Sequence, residues 1–426
     1  MKRRETQCLH AGHETADPTT NAHALPLYRT AAYRFKDTEH AANLFALKEL
    51  GNIYSRLGNP TVDALEQRIT ALEGGAAALA LSSGTSAIFY SIINLAQSGD
   101  DIVAANNLYG GTYTQFNDIL PAFGIQTHFV DPTDPENFAA AITPKTKALY
   151  CETVGNPLLD LVDIQAIADI AHAHGLPLIV DNTFATPVLC RPLEHGADIV
   201  VHSLTKWISG HGTQIGGIVV DSGKFDWTTG KHPLLCEPDS SYHDLRYAHD
   251  LGDLNPLAYI LRMRLVPLRN LGACLSPDNA WLTLQGIETL ALRMARHSEN
   301  ALSVAQHLKS HPAVEWVRHP ALEGDPAYDL AQTYLPDGAG GMVVFGIKGG
   351  AKAGKQFIEK LQLFSHLANV GDTRSLAIHP ATTTHAQLTE AQQQASKISP
   401  DLIRLSIGIE HIDDLLADID QALPKA

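Results

Sequence analysis

The strongest constraint on the fold is a regular alternation of short apolar runs and helical segments between residues 61 and 206. Apolar runs of strand length occur at 101–105, 127–130, 148–152, 176–181 and 199–201, and residues 164–174 show helical spacing. Repetition of strand, helix and strand predicts a mostly parallel sheet that is covered by helices on both faces. In open sheets of this type, ligands bind at the carboxyl ends of the strands.

The stretch Asp-Ile-Val-Val-His-Ser-Leu-Thr-Lys (198–206) places polar side chains at such an end. Its apolar part is typical of a buried parallel strand, and Ser203, Thr205 and Lys206 follow. Two hydroxyls beside a lysine suit a phosphorylated aldehyde, because the hydroxyls hold the phosphate and the amine condenses with the carbonyl as a Schiff base. Taken alone, the segment is more simply interpreted as a solvated lysine that follows a strand.

Two further segments are expected to lie beside this lysine. Asp181 ends the apolar run before it, and the 25 residues from Asp181 to Lys206 amount to one crossover, so both should reach the same sheet edge. Ser83-Gly84-Thr85 lies between a strand and a helix, where free N–H groups and the helix dipole favour a phosphate. Pyridoxal phosphate needs these groups: a lysine, an acid facing the ring nitrogen and an anion cup. By itself, Asp181 could instead cap a helix.

The composition argues against several other classes of protein. A net charge of −15 without a basic run does not suit nucleic acid. No apolar run reaches membrane-spanning length, and the amino terminus lacks the apolar part of a signal peptide. Five scattered cysteines without a Cys-x-x-Cys pair fit a reducing cytoplasm, and the 21 histidines show no metal-ligand spacing. The glycine fingerprint of a nicotinamide oxidoreductase is also missing.

Periodicity and proline content predict three regions in the chain. Residues 1–62 are expected to form an arm with one helix at 39–49, which must lie on the body of the protein or on a second subunit. Residues 63–275 form the α/β domain, with an inserted ordered loop at about 223–265. Residues 276–426 form a smaller α+β domain. It opens with one helix from 276 to about 310, followed by strands at 342–347, 366–370 and 402–407, with an irregular segment at 371–385.

Seven motifs, spread over nearly the whole chain, carry a resemblance to a known family. They are Tyr-Ser-Arg-x-x-Asn-Pro-Thr (54–61), Ser-Ser-Gly (82–84), Leu-Tyr-Gly-Gly-Thr-Tyr (108–113), Glu-Thr-x-x-Asn-Pro (152–157), Val-Asp-Asn-Thr-Phe-Ala-Thr-Pro (180–187), His-Ser-x-Thr-Lys (202–206) and Arg-Leu-Ser-Ile-Gly-Ile-Glu (404–410). Through them the chain resembles the Cys/Met-metabolism family of pyridoxal-phosphate enzymes. The resemblance implies a PLP-dependent transferase of fold type I, an α/β protein that is typically a homotetramer of dimers with shared sites.

The resemblance also implies roles for individual residues. Lys206 would bind the cofactor aldehyde and later carry the proton, Asp181 would pair with the ring nitrogen, and Tyr109 would stack on the ring. Arg404 would hold the substrate α-carboxylate with its bidentate fork. The other implied contacts are Ser83, Gly84, Thr85, Asn156, Thr183, Ser203 and Thr205 for the cofactor, Tyr54 and Arg56 from a neighbouring subunit, and Asn369 with Tyr54 for the substrate.

Within the family, the chain is most similar to the O-acetylhomoserine sulfhydrylases. The resemblance implies γ-replacement on O-acetyl-L-homoserine by sulfide or methanethiol, in the cytoplasm. Gly111 stands where methionine γ-lyases carry cysteine, and Thr85 departs from the methionine or glutamine of many relatives. The alternatives are a cystathionine γ-synthase, an O-succinylhomoserine sulfhydrylase or a γ-lyase on the same scaffold. A regulatory binding protein that keeps the fold is the alternative without catalysis.

Overall fold

The structure, a computed structural model, describes residues 2–383 and 399–424, and the strands of this part form two sheets. The larger sheet contains β1 (Ala77–Leu81), β2 (Asp101–Ala105), β3 (Gln126–Val130), β4 (Thr146–Glu152), β5 (Leu178–Asp181), β6 (Ile199–Ser203) and β7 (Gly217–Asp221), in the order β1-β7-β6-β5-β4-β2-β3. The smaller sheet contains β8 (Val314–Arg318), β9 (Met342–Ile347), β10 (Ser365–His366), β11 (Leu376–Ile378) and β12 (Leu402–Ser406), in the order β10-β11-β12-β9-β8.

The larger sheet is mostly parallel, as the alternation of strands and helices predicts. Strands β2 to β6 pair in parallel. Among the described strands of this sheet, only β7 runs antiparallel to its neighbours, which are β1 and β6. Every residue of β2 and β5 is buried, which explains their continuous apolar character. Strand β7 was not predicted, because it returns from a loop after Lys206 rather than from a crossover helix.

The pairing register brings the ends of three strands together. Glu152, the last residue of β4, pairs with Asp181, the last residue of β5, and Asp181 pairs with Val201 of β6. Because these strands are parallel, the polar residues after them share one edge of the sheet. The predicted meeting of Asp181 and Lys206 at that edge therefore follows from the register.

Helices cover this sheet and connect its strands. They are α1 (Arg4–His10), α2 (Thr38–Phe45), α3 (Pro60–Glu73), α4 (Gly84–Ile93), α5 (Gly110–Thr114), α6 (Glu136–Ala141), α7 (Ile164–Ala173), α8 (Thr186–Leu189), α9 (Pro233–Cys236), α10 (Ala258–Met263), α11 (Arg269–Leu271), α12 (Pro277–Glu288), α13 (Leu290–Ser310), α14 (Tyr328–Tyr334), α15 (Gly350–Lys360) and α16 (Ile412–Ala422). Helix α3 begins after Asn59, whose side chain accepts from the N–H of Thr61, and ends at Gly74 in the left-handed conformation. Helix α4 begins after Ser83 and packs on β6 and β7.

The single long helix that was expected from 276 to about 310 is wrong. The structure has two helices, α12 and α13, which are separated at Thr289. The carbonyl of Gly286 accepts hydrogen bonds from the N–H of Thr289 and from the guanidinium of Arg293. The Arg293 side chain thus binds a carbonyl near the end of α12. This contact accounts for the break between the helices, and the local spacing of apolar residues does not reveal it.

The smaller sheet differs from its prediction in three places, the first of which is β8, a strand that was not predicted. The expected strand at 366–370 is wrong, since β10 ends at His366 and the following residues run toward the large sheet's edge. Strand β11 lies inside the segment 371–385, which was expected to be irregular. Residues 384 and 385 of that segment fall outside the described residues. A second core forms behind this sheet, with Phe345, Phe357 and Leu415 among its buried side chains.

The amino-terminal segment lies on the body of its own chain over part of its length. Arg4 donates to the carbonyl of Val188, at 2.6 Å, and Arg68 of α3 donates to the carbonyl of Ala11, at 2.7 Å. Helix α1 was not predicted, and α2 ends at Phe45, before the expected end of that helix. The contact of the amino-terminal segment with a partner subunit and the bounds of the three predicted regions stay predictions. In the described part, no helix combines the length and apolar character that crossing a membrane requires.

The inserted loop at 223–265 is held by buried aromatic side chains. Trp227 is 3% exposed and stacks on Tyr259 with ring centroids 5.3 Å apart. A π-helical turn, Arg264–Leu268, follows α10 and joins the loop to α11. The loop is therefore packed against the sheet domain rather than extended into solvent.

Candidate active site

A cavity of about 830 Å³ lies at the carboxyl ends of β4, β5 and β6. The sequence-predicted residues that line it are Ser83, Gly84, Thr85, Tyr109, Asn156, Asp181, Thr183, Ser203, Thr205, Lys206, Asn369 and Arg404. Tyr54 and Arg56 do not line it: the Tyr54 side chain is half-exposed, and the guanidinium of Arg56 lies 5.2 Å from its ring centroid. Their role in a neighbouring subunit's site stays a prediction.

Lys206 follows β6 and extends its amine into the cavity. Its Nζ donates to Oδ1 of Asn369, at 2.6 Å. Burial, together with the nearby Arg404 guanidinium, lowers the pKa of Lys206 from 10.5 to about 8. A lysine with this pKa has a substantial neutral fraction near pH 8, as an amine that attacks a carbonyl or accepts a proton requires.

Two buried carboxyls lie side by side at the strand ends. Asp181 accepts hydrogen bonds from the N–H and the hydroxyl of Thr183, and Glu152 accepts from the N–H of Tyr109, at 2.6 Å. Burial raises the pKa of both acids, and the charge of Asp181 raises the pKa of Glu152 further. The alternative role of Asp181 as a helix cap is not seen, since α8 begins later, after Ala185.

The turn before α4 has the geometry of an anion cup. The Ser83 hydroxyl accepts from the N–H of Ser86 at 3.1 Å, and a Cβ on Gly84 would lie 2.7 Å from Cβ of Ser203. The turn also lies close to the backbone of β7, since a Cβ on Gly217 would lie 2.1 Å from the carbonyl oxygen of Ser83. Glycine is thus required for α4 to bring its N-terminus against β6, where the helix dipole favours an anion.

Arg404 comes from β12 of the smaller sheet and supplies a second cation. It is 7% exposed, its Nη1 donates to Oδ1 of Asn156 at 3.3 Å, and burial lowers its pKa to about 10. No carboxylate of the described ranges lies within ion-pair distance of its guanidinium. A buried arginine without an acid partner is suited to bind a carboxylate that enters the cavity.

Three contacts in the cavity were not foreseen. The sequence suggested no role for Glu152, although its place at the end of a buried strand beside β5 was a usable signal. Asn369 was expected to contact substrate, whereas here its amide oxygen holds the lysine amine. A Cβ at Gly111 would lie 2.5 Å from Cε1 of Tyr109, so any larger residue at 111 would displace this half-exposed ring.

The arrangement of these groups fits pyridoxal 5'-phosphate. The helix N-terminus and hydroxyls would hold the phosphate, the lysine would take the aldehyde, and the buried acid would face the ring nitrogen. Burial raises the pKa of these two adjacent acids, and a protonated ring nitrogen would supply a cation that favours their charged form. Fold and site together therefore define a pyridoxal-phosphate-dependent enzyme of fold type I.

Comparison with known proteins assigns the family. The model for Cys/Met metabolism PLP-dependent enzymes matches residues 5–424, and the chain belongs to this family. It is 53% identical over 425 residues to the O-acetyl-L-homoserine sulfhydrylase of Leptospira meyeri, covering 98% of this chain and 96% of that protein. It is 50% identical over 425 residues to the homocysteine synthase of Schizosaccharomyces pombe, covering 99% and 98%.

A solved structure agrees with the fold over the whole chain. A Campylobacter jejuni protein, crystallised with a lysine that carries a pyridoxyl 5'-monophosphate group, superposes with a TM-score of 0.95 at 42% identity. The match covers 99% of this chain and 100% of that chain. The family and fold class that the sequence motifs implied are thereby confirmed.

Proposed function

We propose that the protein catalyses γ-replacement on O-acetyl-L-homoserine, with sulfide or methanethiol as nucleophile. The products are homocysteine or methionine, together with acetate. The names of the Leptospira and Schizosaccharomyces relatives support the substrate and the product class. The observation that carries the proposal is the convergence of Lys206, Asp181 and the buried guanidinium of Arg404 on one cavity.

The residues of the chain divide the work between binding and proton transfer. Arg404 binds the α-carboxylate of the amino acid, and Asn156 orients the guanidinium. Bound pyridoxal phosphate supplies the electron sink that makes the α-proton removable. The Nζ of Lys206 accepts that proton, since its pKa of about 8 lies close to the working pH.

The replacement itself exchanges one bond at the γ-carbon. Loss of a proton from Cβ leaves an electron pair that forms a double bond to Cγ as the bond between Cγ and the ester oxygen breaks, and acetate leaves with the electron pair of that bond. The sulfur of hydrosulfide or methanethiolate then forms the new bond at Cγ, and a proton returns to Cβ. Proton transfer at this stage needs a group that faces the cavity, and Lys206 and the Tyr109 hydroxyl are the proposed donors and acceptors.

The environment of Gly111 favours replacement over γ-elimination. A side chain at 111 would collide with the Tyr109 ring, so the ring position seen here depends on glycine. Methionine γ-lyases, which the chain resembles less, carry cysteine at this position, and the glycine here weighs against that reaction.

Product analysis tests the proposed reaction. With O-acetyl-L-homoserine and sulfide, we expect homocysteine and acetate in equal amounts. Ammonia and 2-oxobutanoate would instead indicate a γ-lyase. A preference for cysteine as the nucleophile would indicate a cystathionine γ-synthase, and a preference for the succinyl ester would indicate an O-succinylhomoserine sulfhydrylase. Lys206→Ala should abolish turnover, whereas Lys355→Ala, at an exposed lysine of α15, should not. A Lys206→Ala variant with wild-type rates would contradict the mechanism.

We further propose that the enzyme is a cytoplasmic homotetramer in which Tyr54 and Arg56 complete a neighbour's site. The half-exposed position of Tyr54 outside its own cavity supports such sharing. Within the described ranges all five cysteines are free, in keeping with a reducing compartment. Mass measurement in solution, together with complementation between Arg56→Ala and Lys206→Ala subunits, tests the shared site.

A further inference from the structure

Arg293 of α13 is a buried cation that contacts backbone carbonyls instead of an acid. It is 5% exposed, and burial lowers its pKa to about 10. In the part of the chain that the structure describes, no carboxylate lies within ion-pair distance of it. Removing this charge from water costs free energy, and among the described contacts only hydrogen bonds offset it. The burial of Arg293 therefore needs a specific explanation.

The guanidinium binds the segment that directly follows Lys206. Its Nη1 donates to the carbonyl of Trp207 at 2.6 Å, and its Nη2 donates to the carbonyl of Ile208 at 3.2 Å. The same Nη2 donates to the carbonyl of Gly286 at 2.6 Å. One planar group thus joins the backbone on the carboxyl side of the lysine to the end of α12.

Close backbone packing reinforces this connection. A Cβ at Gly286 would lie 2.2 Å from the carbonyl oxygen of Ser209, and a Cβ at Gly210 would lie 2.2 Å from Nη1 of Arg293. The turn is closed by a hydrogen bond from the N–H of Gly210 to the Lys206 carbonyl, at 2.8 Å. The backbone of residues 206–210 is therefore held by contacts with Arg293 and Gly286, neither of which lines the cavity.

Arg293 also contacts the break between α12 and α13. The Nε of Arg293 donates to Oγ1 of Thr289, the residue at the break, at 3.2 Å. Lysine could not replace the arginine here, because an ammonium on a flexible stem cannot bind separated carbonyls in a fixed fork.

We propose that Arg293 is a positioning residue for Lys206. It fixes the Trp207 and Ile208 carbonyls and thereby sets the direction in which the lysine side chain enters the cavity. The proposal rests on the proposed function only for its turnover measurement. Its other measurement, the absorbance of the cofactor joined to the lysine, is independent of the substrate.

The test compares Arg293→Lys with a matched variant, Arg262→Lys, in the cofactor-loaded enzyme. Arg262 is also buried, at 6% exposed, and its Nη1 donates to the backbone oxygen and Oδ1 of Asn94, away from the cavity. Arg262→Lys should lower the urea midpoint without moving the pH midpoint of the cofactor absorbance. Arg293→Lys should shift that pH midpoint and lower kcat about 100-fold with little change in KM, since a displaced catalytic group loses rate rather than binding.

A second variant keeps the proposal testable if Arg293→Lys does not fold. Gly286→Ala adds a methyl group that presses on Ser209, while alanine otherwise favours the helix. It should shift the absorbance midpoint in the folded enzyme. Unchanged midpoints and kcat in folded Arg293→Lys or Gly286→Ala would overturn the proposal. Absence of turnover in the wild type would instead refute the proposed reaction and leave the absorbance comparison valid.

Discussion

Replacing Lys206 with methionine should stabilise the cofactor-free protein, although it removes the central reactive group. Methionine has nearly the length of lysine and no charge. In the folded protein, burial and the neighbouring Arg404 lower the pKa of Lys206 to about 8. A lowered lysine pKa means that the folded state disfavours the ammonium, so at neutral pH the charge reduces the free energy of unfolding.

The size and pH dependence of this effect follow from the pKa values. The difference between 10.5 and about 8 corresponds to about 3 kcal/mol, at 1.36 kcal/mol for each pKa unit. Loss of the hydrogen bond to Asn369 offsets about 1 kcal/mol. We therefore expect Lys206→Met to raise the free energy of unfolding by about 2 kcal/mol at pH 7.

The two pKa values of Lys206 define the pH range over which the difference in unfolding free energy between the variant and the wild type changes. Below pH 8 both states carry the proton and the cost is fully present in the wild type. Between pH 8 and 10.5 the unfolded state binds more protons than the folded state, so wild-type stability rises with pH. The advantage of the variant should therefore shrink across this window.

Urea denaturation of the cofactor-free proteins at several pH values measures the difference. Other groups titrate equally in both proteins and cancel. Lys355→Met is the control, because its side chain is 72% exposed and its ion pair with Glu359, at 3.9 Å, lies on the surface. A Lys206→Met variant no more stable than wild type at pH 7, or an advantage that stays constant up to pH 10.5, would refute the reasoning.

Three further substitutions test the other parts of the site. Gly84→Ala should weaken cofactor binding by about 1–3 kcal/mol, because the new Cβ would lie 2.7 Å from Cβ of Ser203. Titration with pyridoxal phosphate measures the affinity, and an unchanged affinity would exclude the turn before α4 as the phosphate site. Asp181→Asn should retain the contact with Thr183 but lower kcat by about 10²-fold or more, and an unaffected kcat would remove Asp181 from the mechanism. Arg404→Lys should lower kcat/KM for the amino acid by about 10-fold or more, as expected for loss of a charged hydrogen bond of about 1.5–3 kcal/mol; initial rates at varied substrate decide, and an unchanged ratio would place the carboxylate elsewhere.

The sequence was sufficient for the parts of the molecule that depend on local patterns. Apolar runs bounded by glycine or polar residues located β5 and β6, and one crossover between them placed Asp181 and Lys206 at one edge. The helix start at α4 was also readable, because Ser83 is a favoured cap and a glycine follows it. These features need no knowledge of distant segments.

The parts that could not be predicted are fixed by side-chain contacts that local propensity does not encode. The break at Thr289 depends on Arg293 reaching the carbonyl of Gly286, and local helix propensity contains no sign of it. The segment after β10 leaves its sheet, and Asn369 within it contacts a lysine 163 positions away. Motif resemblance predicted that Asn369 binds substrate, which stays a prediction; the structure places it at the cavity, in contact with the lysine amine.

Burial and nearby charges explain why the pKa values of four side chains of the site are shifted toward the neutral form. Two acids, Asp181 and Glu152, lie together at the strand ends, and two cations, Lys206 and Arg404, lie together across the cavity. Each pair is buried, so the like charges and the loss of water push both pairs toward neutrality. A cofactor with an anionic phosphate and a cationic ring nitrogen, joined by a substrate carboxylate, supplies opposite charges to each pair. The folding free energy that these side chains cost is therefore recovered on binding, which makes the site selective for a ligand with this distribution of charge.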